Sequence, residues 1–289
     1  MKTPELITEP AAWQARCAAA RDGGARIALV PTMGYLHAGH LSLLREARRR
    51  ADVAGGPGLA VASIFVNPTQ FGPTEDLSRY PRDLDGDLRK CGEAGIDWVL
   101  APSDPRSMFA PGHETWVDVS GVSQGLCGAS RPGHFRGVAT VVTKLFNLTR
   151  PHVALFGEKD FQQLAVIRAM VRDLAFGLEV LGMPIVREPD GLALSSRNAY
   201  LSADERARAV ALSRSVREAQ EATARGERDA AALRARARAR LEAAPARVDY
   251  VEIVHPETLR PVDVAAPGSV MLVAAYVGAT RLIDNGRLP

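Results

Sequence analysis

A chain of 289 residues is long enough to bury one large core or two modest ones. With 46% hydrophobic and 24% charged residues it has the composition of an ordinary globular protein, and a net charge of +3 gives no warrant for nucleic acid or an anionic membrane as its main partner. Met1 to Leu6 hold no signal-peptide core, no apolar stretch approaches membrane-spanning length, and Cys17, Cys91 and Cys127 have neither metal-ligand nor redox spacing, so the expectation is a cytoplasmic protein with free thiols.

The first two thirds of the chain alternate short apolar runs with longer helical patterns. Residues 27–30 read as a buried strand, and a helix follows from about His40, with Leu41, Leu44 and Ala47 at core spacing. Residues 59–66 read as a second buried strand, 83–94 as a helix and 96–100 as a strand. A helix over 134–148, a strand over 152–156 and a helix over 161–174 complete the series. This alternation predicts an α/β fold with a Rossmann-like parallel sheet, covered on both faces, across residues 1–185.

The pattern changes near Val186. Residues 202–245 predict two helices rich in Ala and Arg, broken near Gly226, and 248–254, 270–277 and 282–283 read as three strand-like pieces. Residues 186–289 are therefore expected to form a smaller α+β domain, and the place of Ser195 to Arg197 at its boundary leads to the expectation that it acts as a lid. Eleven arginines stand against seven acids between residues 204 and 247. Arg234, Arg236, Arg238 and Arg240 recur every second residue, which scatters them around a helix axis, so the reading is an ion-paired, solvated surface in preference to a nucleic-acid contact.

Chemistry concentrates at strand ends. The segment 31–40 follows the first apolar run and carries His37 and His40 at a helix start, with Met33, Gly34 and Gly39 around them. A helix start offers unpaired N–H groups and a positive dipole end, and the histidines add donors for a phosphate. Taken alone, the pair is also a chance cap or a metal pair, although zinc lacks an obvious third ligand nearby. Ser195, Ser196 and Arg197 form a compact donor array for phosphate oxygens, with a turn-shaping role as the alternative. Gly157, Glu158, Lys159 and Asp160 end another strand; Lys159 suits phosphate charge, and exposed strand-end charges are the other reading. Gln70, after Asn67 and Thr69, and Gln163 suit a small polar acid through their amides, or are surface glutamines. The run 133–137, with Arg131 and Arg136, opens a helix and reads either as a mobile loop over the site or as a structural helix start. In open α/β sheets ligands bind beyond the carboxyl ends of the strands, so 31–40 and 157–160 should face one crevice.

Taken together and in this order, the segments 31–40, 65–71, 80–82, 134–137, 157–163 and 190–198 resemble the pantoate–β-alanine ligases (pantothenate synthetases) of the HxGH nucleotidyltransferase superfamily. The likeness spans nearly the whole chain. It implies that ATP and (R)-pantoate form pantoyl adenylate and pyrophosphate, and that the amine of β-alanine then displaces AMP to give pantothenate. It implies ATP-binding segments at Met33, Gly34, Tyr35, Leu36, His37, Ala38, Gly39 and His40, at Gly157 to Asp160, and at Val186, Leu194, Ser195, Ser196 and Arg197. His37 and His40 would stabilise phosphate charge, with His37 as proton donor, while Lys159 and Ser195 to Arg197 hold the departing phosphates. Gln70 and Gln163 would bind pantoate, and Gln70 would also meet β-alanine. Mg²⁺ would travel with ATP on phosphate oxygens and water, with Asp87 as the acidic candidate beside it. A homodimer is implied as well.

Three positions depart from the family pattern: Leu194 for Met, Phe161 for Tyr, and Thr69 in a variable place. The competing classes are a nucleotidyltransferase that leaves AMP or CMP on its product, and a nucleotide- or RNA-binding module built on the arginine-rich helices. The second leaves the histidines and the strand-end motifs unexplained.

Overall fold

The structure is a computed structural model that describes residues 3–52, 57–73 and 75–289. It divides into two compact units that are not contiguous in sequence. One holds the described residues up to Ser123 with Arg131–Glu158 and Gln163–Pro184; the other holds Gln124–Ser130, Lys159–Gln162 and Ile185–Pro289. Among the described residues no helix is long and apolar enough to cross a membrane.

The first unit is built on six parallel strands: β1 (Glu5–Ile7), β2 (Arg26–Thr32), β3 (Gly58–Ile64), β4 (Trp98–Leu100), β5 (Val153–Gly157) and β6 (Glu179–Met183). Their order is β1-β4-β3-β2-β5-β6. Its helices are α1 (Pro10–Asp22), α2 (Ala38–Ala51), α3 (Leu84–Glu93), α5 (His134–Thr149) and nearly all of α6 (Phe161–Asp173). The short α4 (Leu126–Ser130) falls in the second unit. Side chains alternate along a strand, and both faces here are buried. Ala28, Val30, Ala60 and Ala62 pack in one cluster with Leu43, Leu44 and Ala47 of α2 and Cys91 of α3. Ile27, Leu29 and Val61 alternate with them and are fully buried too, on the face where α5 meets β2. On that side the Trp13 indole of α1 donates to Thr149 Oγ1 of α5 at 2.9 Å.

Chain order runs outward from β2 through β3 on one side and resumes with β5 on the other. The carboxyl ends of β2 and β5 are therefore adjacent at the switch point of the sheet, the place where α/β sheets bind ligands. At the opposite ends of these strands His152 Nδ1 accepts the Ile27 N–H at 3.0 Å. Burial, and then Arg21 and Arg26, hold the His152 imidazole below its ordinary range. The unfolded chain then binds more protons than the folded one just under the ordinary value of about 6.5, so stability falls as pH drops through that value. His152→Asn keeps an acceptor for Ile27. It should flatten the loss of melting temperature between about pH 6.5 and 5 relative to the parent protein; parallel slopes would refute the assignment.

The second unit packs α7 (Ala203–Ala224) and α8 (Ala230–Ala243) on an antiparallel sheet of β7 (Arg247–Val254), β8 (Val270–Val277) and β9 (Thr280–Arg287). Ser202 and Glu205 cap α7 reciprocally, and Asp229 accepts the Ala231 and Ala232 N–H groups at the start of α8. Gly278, at φ +57°, makes the two-residue turn between β8 and β9, and a Cβ there would strike the Glu205 carboxylate. The four alternating arginines of α8 lie in ion pairs: Arg234 with Glu252, Arg236 with Glu227, Arg238 with Glu242 and Arg240 with Glu218. Cys17, Cys91 and Cys127 are buried free thiols, and burial pushes those of Cys17 and Cys91 up to about 12.

Candidate active site

The loop from β2 into α2 is forced into an unusual path. Gly34 has φ +83° and Tyr35 φ +52°, two successive left-handed residues, the second costly for a side chain with a Cβ. What holds it is Asp87 on α3. Its Oδ2 accepts the Tyr35 N–H and its Oδ1 the Leu36 N–H, each at 2.7 Å, while Lys90 Nζ donates to the Leu36 carbonyl at 2.8 Å. A Cβ at Gly34 would lie 2.9 Å from Asp87 Oδ2 and 3.0 Å from Ile64 Cγ2, so glycine is required by space as well as by φ.

The tightened loop delivers His37 as the N-cap of α2. His37 Nδ1 accepts the Gly39 N–H at 3.1 Å, and His40 Nδ1 accepts the His37 N–H at 3.3 Å. The rings are tilted with centroids 4.1 Å apart. Because each Nδ1 accepts from an amide, each neutral ring carries its proton on Nε2. The pair therefore supplies two Nε2–H donors at the positive end of a helix, which is the equipment for stabilising phosphate charge.

Gln70 is buried at the end of a short turn after β3. Asn67 Nδ2 donates to Gln70 Oε1 at 3.0 Å, which fixes the amide so that Nε2 points to Met33 Sδ at 3.3 Å. A thioether is a weak acceptor, so this amide N–H is suited to a carboxylate or hydroxyl oxygen. Asn67 Nδ2 also reaches the Gly137 carbonyl at 3.2 Å, and its Oδ1 accepts the Thr69 N–H and hydroxyl. A Cβ on Gly137 would drive into the Thr69 carbonyl, so the 133–137 segment begins α5 tightly packed. Arg131 donates to His134 Nε2 at 2.9 Å and pairs with Glu75 at 2.6 Å, which leaves His134 Nδ1–H to donate to the Gln70 carbonyl at 2.8 Å. This segment is a packed helix start, with Arg131 already engaged by a carboxylate.

Gly157 and Glu158 lie at the end of β5, beside β2 in the same sheet, and Gln163 is half-buried on the first turn of α6. Lys159 and Asp160 group with the second unit, where the Lys159 carbonyl accepts from Asn285 Nδ2 at 2.9 Å. In that unit residues 186–194 fold back on themselves: the Leu194 N–H donates to the Val186 carbonyl at 3.0 Å and Glu188 N–H to the Leu192 carbonyl at 2.8 Å. Ser195 then caps the turn Ser196–Tyr200 by accepting the Arg197 N–H. Val186 and Leu194 to Arg197, far apart in the sequence pattern, are thus one ribbon. The Leu194–Val186 bond is main chain to main chain, so Leu in place of Met leaves it intact. Phe161 is buried with the Arg287 guanidinium 5.6 Å from its ring centre.

Asp87 holds the loop after β2 through both carboxylate oxygens. The family resemblance makes it the acidic candidate beside magnesium, but it is buried with both oxygens bound to main-chain N–H groups. Burial pushes its carboxyl above the ordinary value, against the pull of the Leu36 and Tyr35 N–H groups and Lys90. Among the described residues no three His, Cys, Asp or Glu side chains gather as a metal cluster. Sequence reasoning passed over Lys90, although Asp87 and Lys90 sit three apart on one helix face, a spacing that marks joint action.

Comparison with known proteins shows the family. A family model described as pantoate-beta-alanine ligase matches residues 5–287. A pantothenate synthetase of Anaeromyxobacter dehalogenans is 81% identical over the full length of both chains. The crystal structure of pantothenate synthetase from Thermus thermophilus is 47% identical with a TM-score of 0.91, covering 99% of this chain and 100% of that one. That of pantoate-beta-alanine ligase from Francisella tularensis, complexed with beta-gamma ATP and beta-alanine, is 28% identical with a TM-score of 0.82, covering 98% and 97%.

Proposed function

This chain belongs to the pantoate–beta-alanine ligase family, and on that premise we propose that it condenses (R)-pantoate with β-alanine through a pantoyl adenylate. The observation that carries the proposal is the pair of Nε2–H donors of His37 and His40 at the start of α2. A pantoate carboxylate oxygen attacks the α-phosphorus of ATP, and the bond to the β-phosphate oxygen breaks, releasing pyrophosphate. The β-alanine amine then attacks the mixed-anhydride carbonyl, AMP leaves with the bonding electrons, and the amine loses a proton. Adenylation supplies the leaving group that a free carboxylate lacks, so no side chain has to become covalent.

His37 and His40 donate to phosphate oxygens as charge develops there, and fixed donors of this kind need no reorganisation at the moment of reaction. Lys159 and the Ser195, Ser196 and Arg197 ribbon hold the β- and γ-phosphates, the guanidinium in bidentate fashion. Gln70, its donor end set by Asn67, takes a pantoate oxygen, and Gln163 takes another. Magnesium enters as part of the ATP substrate, carried by phosphate oxygens and water, and lowers the charge that the incoming carboxylate meets. Residues 186–289 act as a lid that keeps water from the adenylate.

With ATP, Mg²⁺ and (R)-pantoate present, AMP is expected to accumulate under turnover only when β-alanine is added, together with pantothenate. Pyrophosphate release with AMP retained on a stable product would instead assign a nucleotidyltransferase.

A further inference from the structure

The last strand of the chain carries two adjacent polar residues, Asp284 and Asn285, that are 2% and 5% exposed. Burying such groups is costly unless each has a partner, and their partners are informative. Asn285 Nδ2 donates to the Lys159 carbonyl at 2.9 Å, within the turn Glu158–Asp160. Asp284 takes the Arg187 guanidinium bidentately, Oδ2 to Nη1 at 2.7 Å and Oδ1 to Nη2 at 2.9 Å. Arg187 Nη1 also donates to the Gly191 carbonyl at 3.1 Å, closing the ribbon whose returning arm leads into Ser195, Ser196 and Arg197.

Two neighbouring residues on one strand therefore hold the two segments assigned above to the phosphates, which lie more than thirty positions apart in sequence. Strand alternation sends their side chains to opposite faces of β9, so each reaches a different segment. The strand itself is seated without slack. A Cβ on Gly286 would lie 2.6 Å from Val216 Cγ1 and 2.8 Å from Gln220 Nε2 of α7, so a larger residue there would have to displace these side chains. Arg287, one residue on, covers Phe161 at the start of α6.

We propose that Asp284 and Asn285 are positioning residues for adenylation: Asn285 sets the main chain at Lys159 and Asp284 sets the ribbon that bears Ser195 to Arg197. The proposal rests on the reading of those residues as the phosphate holders. Neither Asp284 nor Asn285 touches substrate. Their contribution is to fix the roots of side chains that do, and a shift on the order of 1 Å at such a root costs about 10²-fold in rate.

The test is a double-mutant cycle read as the single-turnover rate of pyrophosphate release from ATP, Mg²⁺ and (R)-pantoate on the full chain, with circular dichroism confirming the fold. Asn285→Ala should lower the rate at saturating pantoate about tenfold or more, while the pantoate concentration for half-maximal rate stays within about twofold. In a Lys159→Ala background the same substitution should cost no more than about twofold, because its effect runs through Lys159. Equal losses in both backgrounds, or parent-like kinetics for Asn285→Ala, would overturn the proposal. If Lys159→Ala alone adenylates at the parent rate, the assignment of Lys159 falls and takes the Asn285 argument with it. Asn285→Ser carries the same cycle where the alanine variant does not fold. Asp284→Asn, which leaves one oxygen for a two-pronged guanidinium, should give the same non-additive pattern against Arg197→Ala, and additive losses there would overturn its half of the proposal.

Discussion

Replacing His37 by alanine is expected to slow pantoyl adenylate formation by a factor on the order of 10²–10³, the range for loss of one preorganised donor. The side chain has two tasks that alanine removes together. Its Nδ1 caps α2 by accepting the Gly39 N–H, worth about 1 kcal/mol of stability, and in the proposed mechanism its Nε2–H meets developing phosphate charge. Asparagine separates them. It is among the strongest N-caps, so His37→Asn should recover the melting temperature, yet its short amide does not carry a donor to the position of Nε2. Rapid-quench measurement of pyrophosphate, alongside calorimetric melting, reads both effects. A His37→Asn enzyme that is both stable and fast would reduce His37 to a cap and leave the chemistry to His40 and Lys159.

The parts of this molecule legible in sequence are those in which neighbours along the chain are also neighbours in space. Strands β2, β3 and β5 are continuous apolar runs because both of their faces are buried, and the composition reports it directly. The His37 and His40 pair is legible for a similar reason: cap, glycine and donors lie within one turn of helix.

Other parts carried no such signal. Strands β1 and β6 stand at the two edges of the sheet, and β6, Glu-Val-Leu-Gly-Met, is exposed or only half-buried throughout, so neither shows an apolar run. Helix α1 buries Trp13 and Cys17 alone, four residues apart in an alanine-rich stretch too sparse to mark a face. The strand read over residues 96–100 shortens to Trp98–Leu100, and the piece at 282–283 lengthens to Thr280–Arg287, because hairpin pairing with β8 extends it past its apolar centre. The contacts of Asp87 with Tyr35 and Leu36 span about fifty residues and that of Asn285 with Lys159 spans 126. No spacing rule reaches so far. The physical signature of such residues is a polar side chain buried without a local partner, and that becomes visible only when the fold is known.

The expectation for Asp87 follows from this. Asp87→Asn keeps the shape of the side chain but turns one acceptor into an NH₂ group, which then faces a main-chain N–H across a 2.7 Å gap. One bond is lost and two donors oppose each other, at a cost of about 1–3 kcal/mol for the N–H left unsatisfied. The loop has an easy way to relieve this, because Tyr35 occupies a left-handed conformation that it leaves readily once the restraint is gone. Relaxation at residues 34–36 moves His37, the next residue in the chain. Adenylation should therefore fall about 10²-fold, while the first unit, held by two buried faces of a six-stranded sheet, melts close to the parent temperature. Magnesium distinguishes this from a metal-binding role. A residue that holds the loop gives a rate loss that no excess of Mg²⁺ repairs, whereas a lost metal ligand raises the concentration of Mg²⁺ needed for half-maximal rate. A titration of pyrophosphate release against Mg²⁺ with Asp87→Asn decides between them: an unchanged midpoint under a lowered ceiling is the result expected from the two main-chain bonds, and recovery at high Mg²⁺ would return Asp87 to the metal.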